Sequence, residues 1–234
     1  MPARREVLAG IAALVGAGAG AGRGKPRART LHQDDFRHGL GRWAIEAEQP
    51  ASVTARGGVL EIVAPAGLTL WFRPVLTGPI AIDYDLQAVS AGGAFDRVSD
   101  ANCFWMARDP TAPEGDLLAH QRDGRFEAYD TLETYYVGLG GNTNSTTRFR
   151  RYVGRPGDRP LLPENDRRGP ADMLVPNAWQ HLRLTAEGER ISFARDGGTL
   201  FDFHDPAPYR QGRFGLRTTA SHLRVRAFAI SSLA

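Results

Sequence analysis

Cysteine is almost missing from this 234-residue chain. Cys103 stands alone, so no disulfide can close within it. The core must hold by burial alone, and the roughly 210 residues after the first 21 are enough for that. Cys103 itself lies between Asn102 and Phe104 in an apolar run and reads as a small core residue rather than a nucleophile. Lysine is equally scarce: Lys25 is the single one among 29 basic residues. Arginine-rich codon usage explains such a bias, so only local arginine clusters point to anion recognition. Net charge is +3, and becomes +2 when a leader carrying Arg4, Arg5 and Glu6, which sum to +1, is removed. That balance, with no basic stripe along a helix, argues against nucleic acid. No apolar run reaches the roughly 20 residues of a membrane span.

Motifs of common chemistry are also missing. The chain has no phosphate loop, dinucleotide fingerprint or nucleophile elbow. Six histidines, His32, His38, His120, His181, His204 and His222, show no ligand-like spacing, which argues against catalytic zinc. The sequence requires no cofactor, is compatible with a structural calcium, and shows no obligate protein partner.

What is present begins with an export signal. Paired Arg4 and Arg5 precede a short apolar stretch of small residues from Ile11 to Ala21, the pattern of a twin-arginine leader. Ala17-Gly-Ala19 and Ala19-Gly-Ala21 offer cleavage points. We therefore expect a signal peptide over 1–21, a flexible leader over 22–31, one domain over 32–234, and a periplasmic or secreted location. Twin-arginine transport carries folded proteins, which suits a domain without disulfides.

The folded part reads as strands. Ile80, Ile82, Tyr84 and Leu86 alternate with Asp83, Asp85 and Gln87, so residues 80–87 form a half-buried strand. Similar patterns predict strands at 59–63, 68–73, 102–107, 125–129, 134–137, 146–153, 179–186, 190–195, 199–203, 213–218 and 223–230. Glycine-rich turns separate many of them. About a dozen short strands without an amphipathic helix indicate an all-β antiparallel sandwich or barrel. Residues 155–176, with five prolines, form a long irregular stretch of the kind used as a lid or binding edge.

Asp35-Phe-Arg-His-Gly-Leu-Gly-Arg-Trp43 resembles the opening strand of concanavalin A-like sandwich domains. Trp179-Gln-His-Leu-Arg-Leu184, Ile191-Ser-Phe-Ala-Arg-Asp-Gly197 and Gly212-Arg-Phe-Gly-Leu-Arg-Thr218 resemble their closing strands. Within that superfamily, Asn102 to Pro110 and Tyr135 to Tyr152 are similar to an exported bacterial group akin to the YesU-like proteins of pectin-degradation loci. The resemblance implies a two-sheet jelly roll over the whole mature chain. For activity it implies less, because the superfamily holds lectins, hydrolases, lyases and structural modules.

The segment from Asp100 to Val153 interleaves aromatics, asparagines, arginines and glycines, a mixture suited to a polysaccharide or oligosaccharide ligand. On strand 146–153, period two places Thr146, Arg148, Arg150 and Tyr152 on one face. Two guanidiniums there need water, protein carboxylates or an anionic ligand. Before it, Gly138 to Asn144 allow close backbone approach and supply the amides of Asn142 and Asn144. Arg73, Asn102, Trp105, Tyr135, Tyr136 and Arg217 complete the candidate binding set. These residues point to an acidic, uronate-containing saccharide. If the protein is an enzyme, β-elimination suits it, with Arg148 and Arg150 neutralising the carboxylate and Tyr152 or His222 moving the proton. Two alternatives stand beside that reading. One is a glycoside hydrolase using Asp83 and Asp85, which sit roughly 6–7 Å apart on one strand face. The other is a non-catalytic binding or structural module.

Overall fold

A computed structural model describes residues 28–233. The expected signal peptide, 1–21, lies outside the described residues. Among the described residues there are fourteen strands: β1 (Thr30–Asp34), β2 (Trp43–Ala47), β3 (Ser52–Arg56), β4 (Val59–Phe72), β5 (Leu76–Thr77), β6 (Ile80–Ala88), β7 (Asn102–Arg108), β8 (Glu133–Gly140), β9 (Thr146–Val153), β10 (Asp166–Arg167), β11 (Gln180–Glu187), β12 (Arg190–Arg195), β13 (Gly198–His204) and β14 (Gln211–Ser232). All of their pairings are antiparallel. Among the described residues, no helix is long and apolar enough to cross a membrane.

Two long strands join the layers of an all-β sandwich. The N-terminal part of β14 pairs with β7 from Arg213 to Arg217, and its C-terminal part pairs with β6 from Leu223 to Ser232. β4 runs beside its central part, from Gly215 opposite Trp71 to Val225 opposite Leu60. The register shifts between Thr219 and Ser221, where Ala220 takes a positive φ of 45°. Such a bulge bends a strand and lets it pass from one sheet to the next. One layer therefore runs β10-β9-β8-β7-β14-β4-β2 and the other β3-β4-β14-β6-β11-β12-β13. Between them lie Leu70, Trp105, Tyr135, Phe149 and Phe214 from the first layer, packed with Ile82, Tyr84, Leu184, Phe193 and Ile230 from the second. Cys103 is part of this core, and burial pushes its thiol up to about 12.

Several boundaries differ from the sequence expectation. The runs 59–63 and 68–73 are one strand, as are 213–218 and 223–230, because bulges rather than turns separate their halves. β1 starts at Thr30, inside the expected leader. Residues 35–42 are not an opening strand but the turn between β1 and β2. There Phe36 has φ 54°, and the Asp34 carboxylate takes both the Phe36 N–H (2.9 Å) and Trp43 Nε1 (2.9 Å). The segment 125–129 is a 3-10 turn over Phe126–Tyr129, not a strand.

That turn belongs to an excursion, residues 109–132, that folds back over the outer face of the first layer. It covers a second apolar cluster of Trp71, Phe104, Leu117, Tyr129, Leu132, Tyr136 and Tyr152. Arg122 holds the excursion down. Its guanidinium donates to the Asp109 carboxylate and to the carbonyls of Leu117 (2.9 Å), His120 (3.1 Å) and Ala128 (3.2 Å). Glu46 on β2 accepts from the Arg122 N–H (3.1 Å) and from Trp71 Nε1 (2.8 Å), tying sheet and excursion together.

Candidate functional site

Register across the first layer sets the site. Glu46 faces Thr69, Thr69 faces Arg217, and Arg217 faces Asn102. Because Cys103 faces Val137, Asn102 lies beside Gly138; Gly138 in turn faces Arg148, and Arg148 faces Asp166. A single row thus crosses the strands, with arginines toward both ends and a glycine between them. Strand spacing puts the Cα atoms of Arg217 and Arg148 about 14 Å apart. The next row carries Trp71, Gly215, Phe104, Tyr136 and Arg150. Gly138 leaves the floor open, since a Cβ there would stand 3.1 Å from the Tyr136 hydroxyl.

The result is a cavity of about 380 Å³. Asn102, Tyr136 and Gly138 form its floor, and Arg148, Arg150 and Arg217 reach it from the sides. The excursion adds Arg125, Phe126 and Glu127; Glu48, Asp100, Asn142, Thr146 and Thr219 complete the rim. Its size falls at the small end of the roughly 300–1,000 Å³ of ligand pockets.

Charge is unevenly satisfied within it. Each rim carboxylate has an arginine neighbour: Asp100 with Arg97 (2.7 Å), Glu48 with Arg125 (3.8 Å) and Glu127 with Arg159 (4.0 Å). Arg148 is bound to Asp166 at 2.8 Å, and Arg148 and Arg168 hold the Asp166 carboxyl down at about 2. Arg150 and Arg217 have no carboxylate partner among the described residues. Arg150 donates only to the Arg159 carbonyl. Arg217, 4% exposed, donates through Nη1 to Thr69 Oγ1 (2.9 Å) and the Gly124 carbonyl (3.0 Å), with its guanidinium near the faces of Phe126 (5.0 Å) and Tyr129 (4.8 Å). A buried cation without a counter-ion is costly. Beside it Asn102, 5% exposed, has an Oδ1 with no hydrogen-bond partner.

Of the residues expected from sequence, Asn102, Tyr136, Asn142, Arg148, Arg150 and Arg217 meet in this cavity. The others do not. Tyr152 shares the face of Arg148 and Arg150 but is wholly buried under the excursion, and burial pushes its phenol up. His222 belongs to the other layer, clasped between Asp96 (2.6 Å) and Glu61 (3.0 Å). That clasp helps hold both carboxyls below their ordinary range: His222 leads for Glu61, and for Asp96 it follows the Gly93 N–H. Trp105 and Tyr135 point inward. Trp105 Nε1 donates to the Thr185 carbonyl (3.2 Å), and the Tyr135 hydroxyl to Asp205 (2.7 Å). Asn144 spends its amide on both backbone groups of Leu174, 2.9 and 3.0 Å away, pinning the 155–176 stretch. Arg73 is exposed and lines no part of the cavity. The proposed hydrolase pair lies on the second layer, where Asp83 is held by Arg183 (2.7 Å) and Asp85 by His181 (3.0 Å) and Arg226 (3.1 Å). Among the described residues, no group of three or more histidine, cysteine or acidic side chains is placed to hold a metal ion.

The excursion's residues, Arg125 to Glu127, were not expected at the site, since a solitary Phe-Glu-Ala-Tyr run imitates strand alternation. Asp100 has φ 56° and donates its N–H to the Gly140 carbonyl (3.1 Å), a placement that only long-range pairing sets.

Solved structures share this architecture. A Bacillus subtilis protein of unknown function with a galectin-like fold superposes with a TM-score of 0.67 at 14% identity, over 90% of this chain and 99% of that one. The carbohydrate-binding module CBM66 from Bacillus subtilis gives 0.54 at 13% identity, over 82% and 97%. An endo-β-1,3-glucanase from Pyrococcus furiosus gives 0.55 at 10% identity, over 88% and 95%. At these identities the likeness is one of fold: an antiparallel jelly-roll sandwich. No curated protein matches the chain in sequence. The family described as a domain of unknown function (DUF6250) matches residues 62–228, well over half of the sequence, and the chain belongs to that family.

Proposed function

We propose that this is an exported carbohydrate-binding domain whose cavity on the β7–β8–β9–β14 face holds an acidic sugar. The observation that carries the reading is the pair of guanidiniums, Arg150 and Arg217, left without carboxylate partners beside the unpartnered Asn102 Oδ1. A uronate carboxylate supplies the missing anion, and its hydroxyls supply a donor for Asn102 and partners for Asn142. Phe126 and Tyr136 offer ring surface for the sugar's C–H face. The sandwich likeness to a carbohydrate-binding module and a glucanase is in keeping with a saccharide ligand.

Binding without turnover is the better-supported form. Elimination needs a proton-moving group beside the sugar, and neither Tyr152 nor His222 lines the cavity. Tyr136 does, but burial raises its phenol well above 10, so it keeps its proton at neutral pH. Calorimetry with galacturonate and glucuronate oligomers, beside their neutral hexose counterparts, tests the reading. Selective binding of the acidic set, with no unsaturated product absorbance and no new reducing ends, is expected. Preference for the neutral set overturns the acidic assignment, and turnover overturns the non-catalytic one.

A further inference from the structure

Assuming that the cavity takes an acidic sugar, we infer that it receives the end of a glycan chain rather than an interior stretch. The row from Arg217 to Arg148 is a trough across four strands, and both of its ends are stopped. On the β14 side, Arg217 is tied to the Gly124 carbonyl, and Gly124 itself lies against the Ala47–Glu48 backbone, where a Cβ would come within 2.4 Å of the Glu48 nitrogen. No sugar passes between excursion and sheet there. On the β9 side, Asp166 on β10 binds Arg148 and Arg168, both at 2.8 Å, and holds the Arg148 side chain across that end of the cavity.

Loops border the two remaining sides. Toward Tyr152, the excursion meets the 155–165 stretch: the Arg159 guanidinium sits 4.3 Å from the centroid of the Phe126 ring and its Nη2 donates to Asp130 at 3.1 Å, while Phe126 packs on Tyr136 at 5.6 Å. Arg159 thereby bridges two loops above the row that carries Arg150. On the opposite side stands the left-handed turn at Gly141–Asn144, braced by Asn142 Nδ2 donating to Thr146 Oγ1 (3.1 Å). The cavity is a cup open away from the sheet. A chain entering it ends there, and an interior unit, with neighbours on both sides, has no second exit.

Counting binding sites on a polymer tests this. Polygalacturonate is cut to a series of mean lengths, and the protein bound at saturation is measured at constant polymer mass. Recognition of ends predicts capacity in proportion to the number of ends, about tenfold more for chains tenfold shorter. Capacity that stays constant or falls with shortening overturns the inference while leaving the acidic reading intact. A neutral β-glucan series runs in parallel: capacity proportional to ends there, with no binding to the acidic series, removes the acidic reading and keeps the cup. Absence of binding to either series overturns both. In Arg159→Ala, which removes the bridge between the two loops, affinity should grow with oligomer length from dimer to hexamer, whereas the unaltered protein should change less than threefold. A rise of tenfold or more in the unaltered protein points to a multi-subsite groove and sinks the inference.

Discussion

Arg148 and Arg150 occupy the same face of one strand, two residues apart, and their surroundings divide their roles. Arg148 is neutralised by Asp166, whereas Arg150 has no carboxylate partner among the described residues and donates to the Arg159 carbonyl. Arg150→Ala should weaken binding of an acidic oligosaccharide by about 1.5–3 kcal/mol, the worth of a charge-assisted hydrogen bond, with little change in stability. Arg148→Ala should do the reverse in kind, lowering thermal stability by freeing Asp166 while affecting affinity less; calorimetry and melting of both proteins check the division. Equal effects of the two on affinity would contradict it. Gly138→Val should fill the floor and abolish binding in a protein whose circular dichroism is unchanged. This face was legible from period-two spacing alone. What covers it was not: Tyr152 has the right parity, yet the excursion from distant sequence seals it. Parity likewise leaves open which face of β7 and β8 meets the other layer, and so Trp105 and Tyr135, which turn inward, were expected at the ligand.

Among the elements, the 109–132 excursion decides how much of the sheet stays open. Its buried Asp109–Arg122 pair and its carbonyl contacts stand in for a hydrogen-bonded ladder. Arg122→Met leaves Asp109 buried without its cation and should cost about 3–5 kcal/mol in urea unfolding, the range for breaking one side of a buried pair. A loss below 1 kcal/mol would mean that apolar packing of Leu117, Tyr129 and Leu132 suffices to hold the excursion. Its sequence carries short apolar groups broken by Pro110, Pro113, Gly115 and Gly124, and its one alternating run, 125–129, imitates a strand. The strands were legible because each buries one face, as β6 does with Ile80, Ile82, Tyr84 and Leu86. The continuity of β4 and β14 was not, since a bulge leaves the same polar and glycine signature as a turn.

At the scale of the whole molecule, pH links the ion pair that anchors Arg148 at the cavity to stability. The Asp166 carboxyl titrates at about 2 in the folded chain against an ordinary 3.8. A depressed carboxyl contributes stability that is complete above the unfolded value and is lost as pH falls through the folded one. Asp166→Asn should therefore melt below the unaltered protein at pH 7, with the gap closing between about pH 4 and pH 2. A gap that persists at pH 2 would show that the ion pair is not its source. The part played by the uncompensated guanidiniums is tested most directly by titrating the unaltered protein and Arg217→Leu with a galacturonate oligomer and its neutral galactose counterpart. Acidic-selective binding by the unaltered protein is expected and, in Arg217→Leu, loss of that selectivity without unfolding. Retained preference for the acidic oligomer in Arg217→Leu, or equal affinity of the unaltered protein for both sugars, would contradict it.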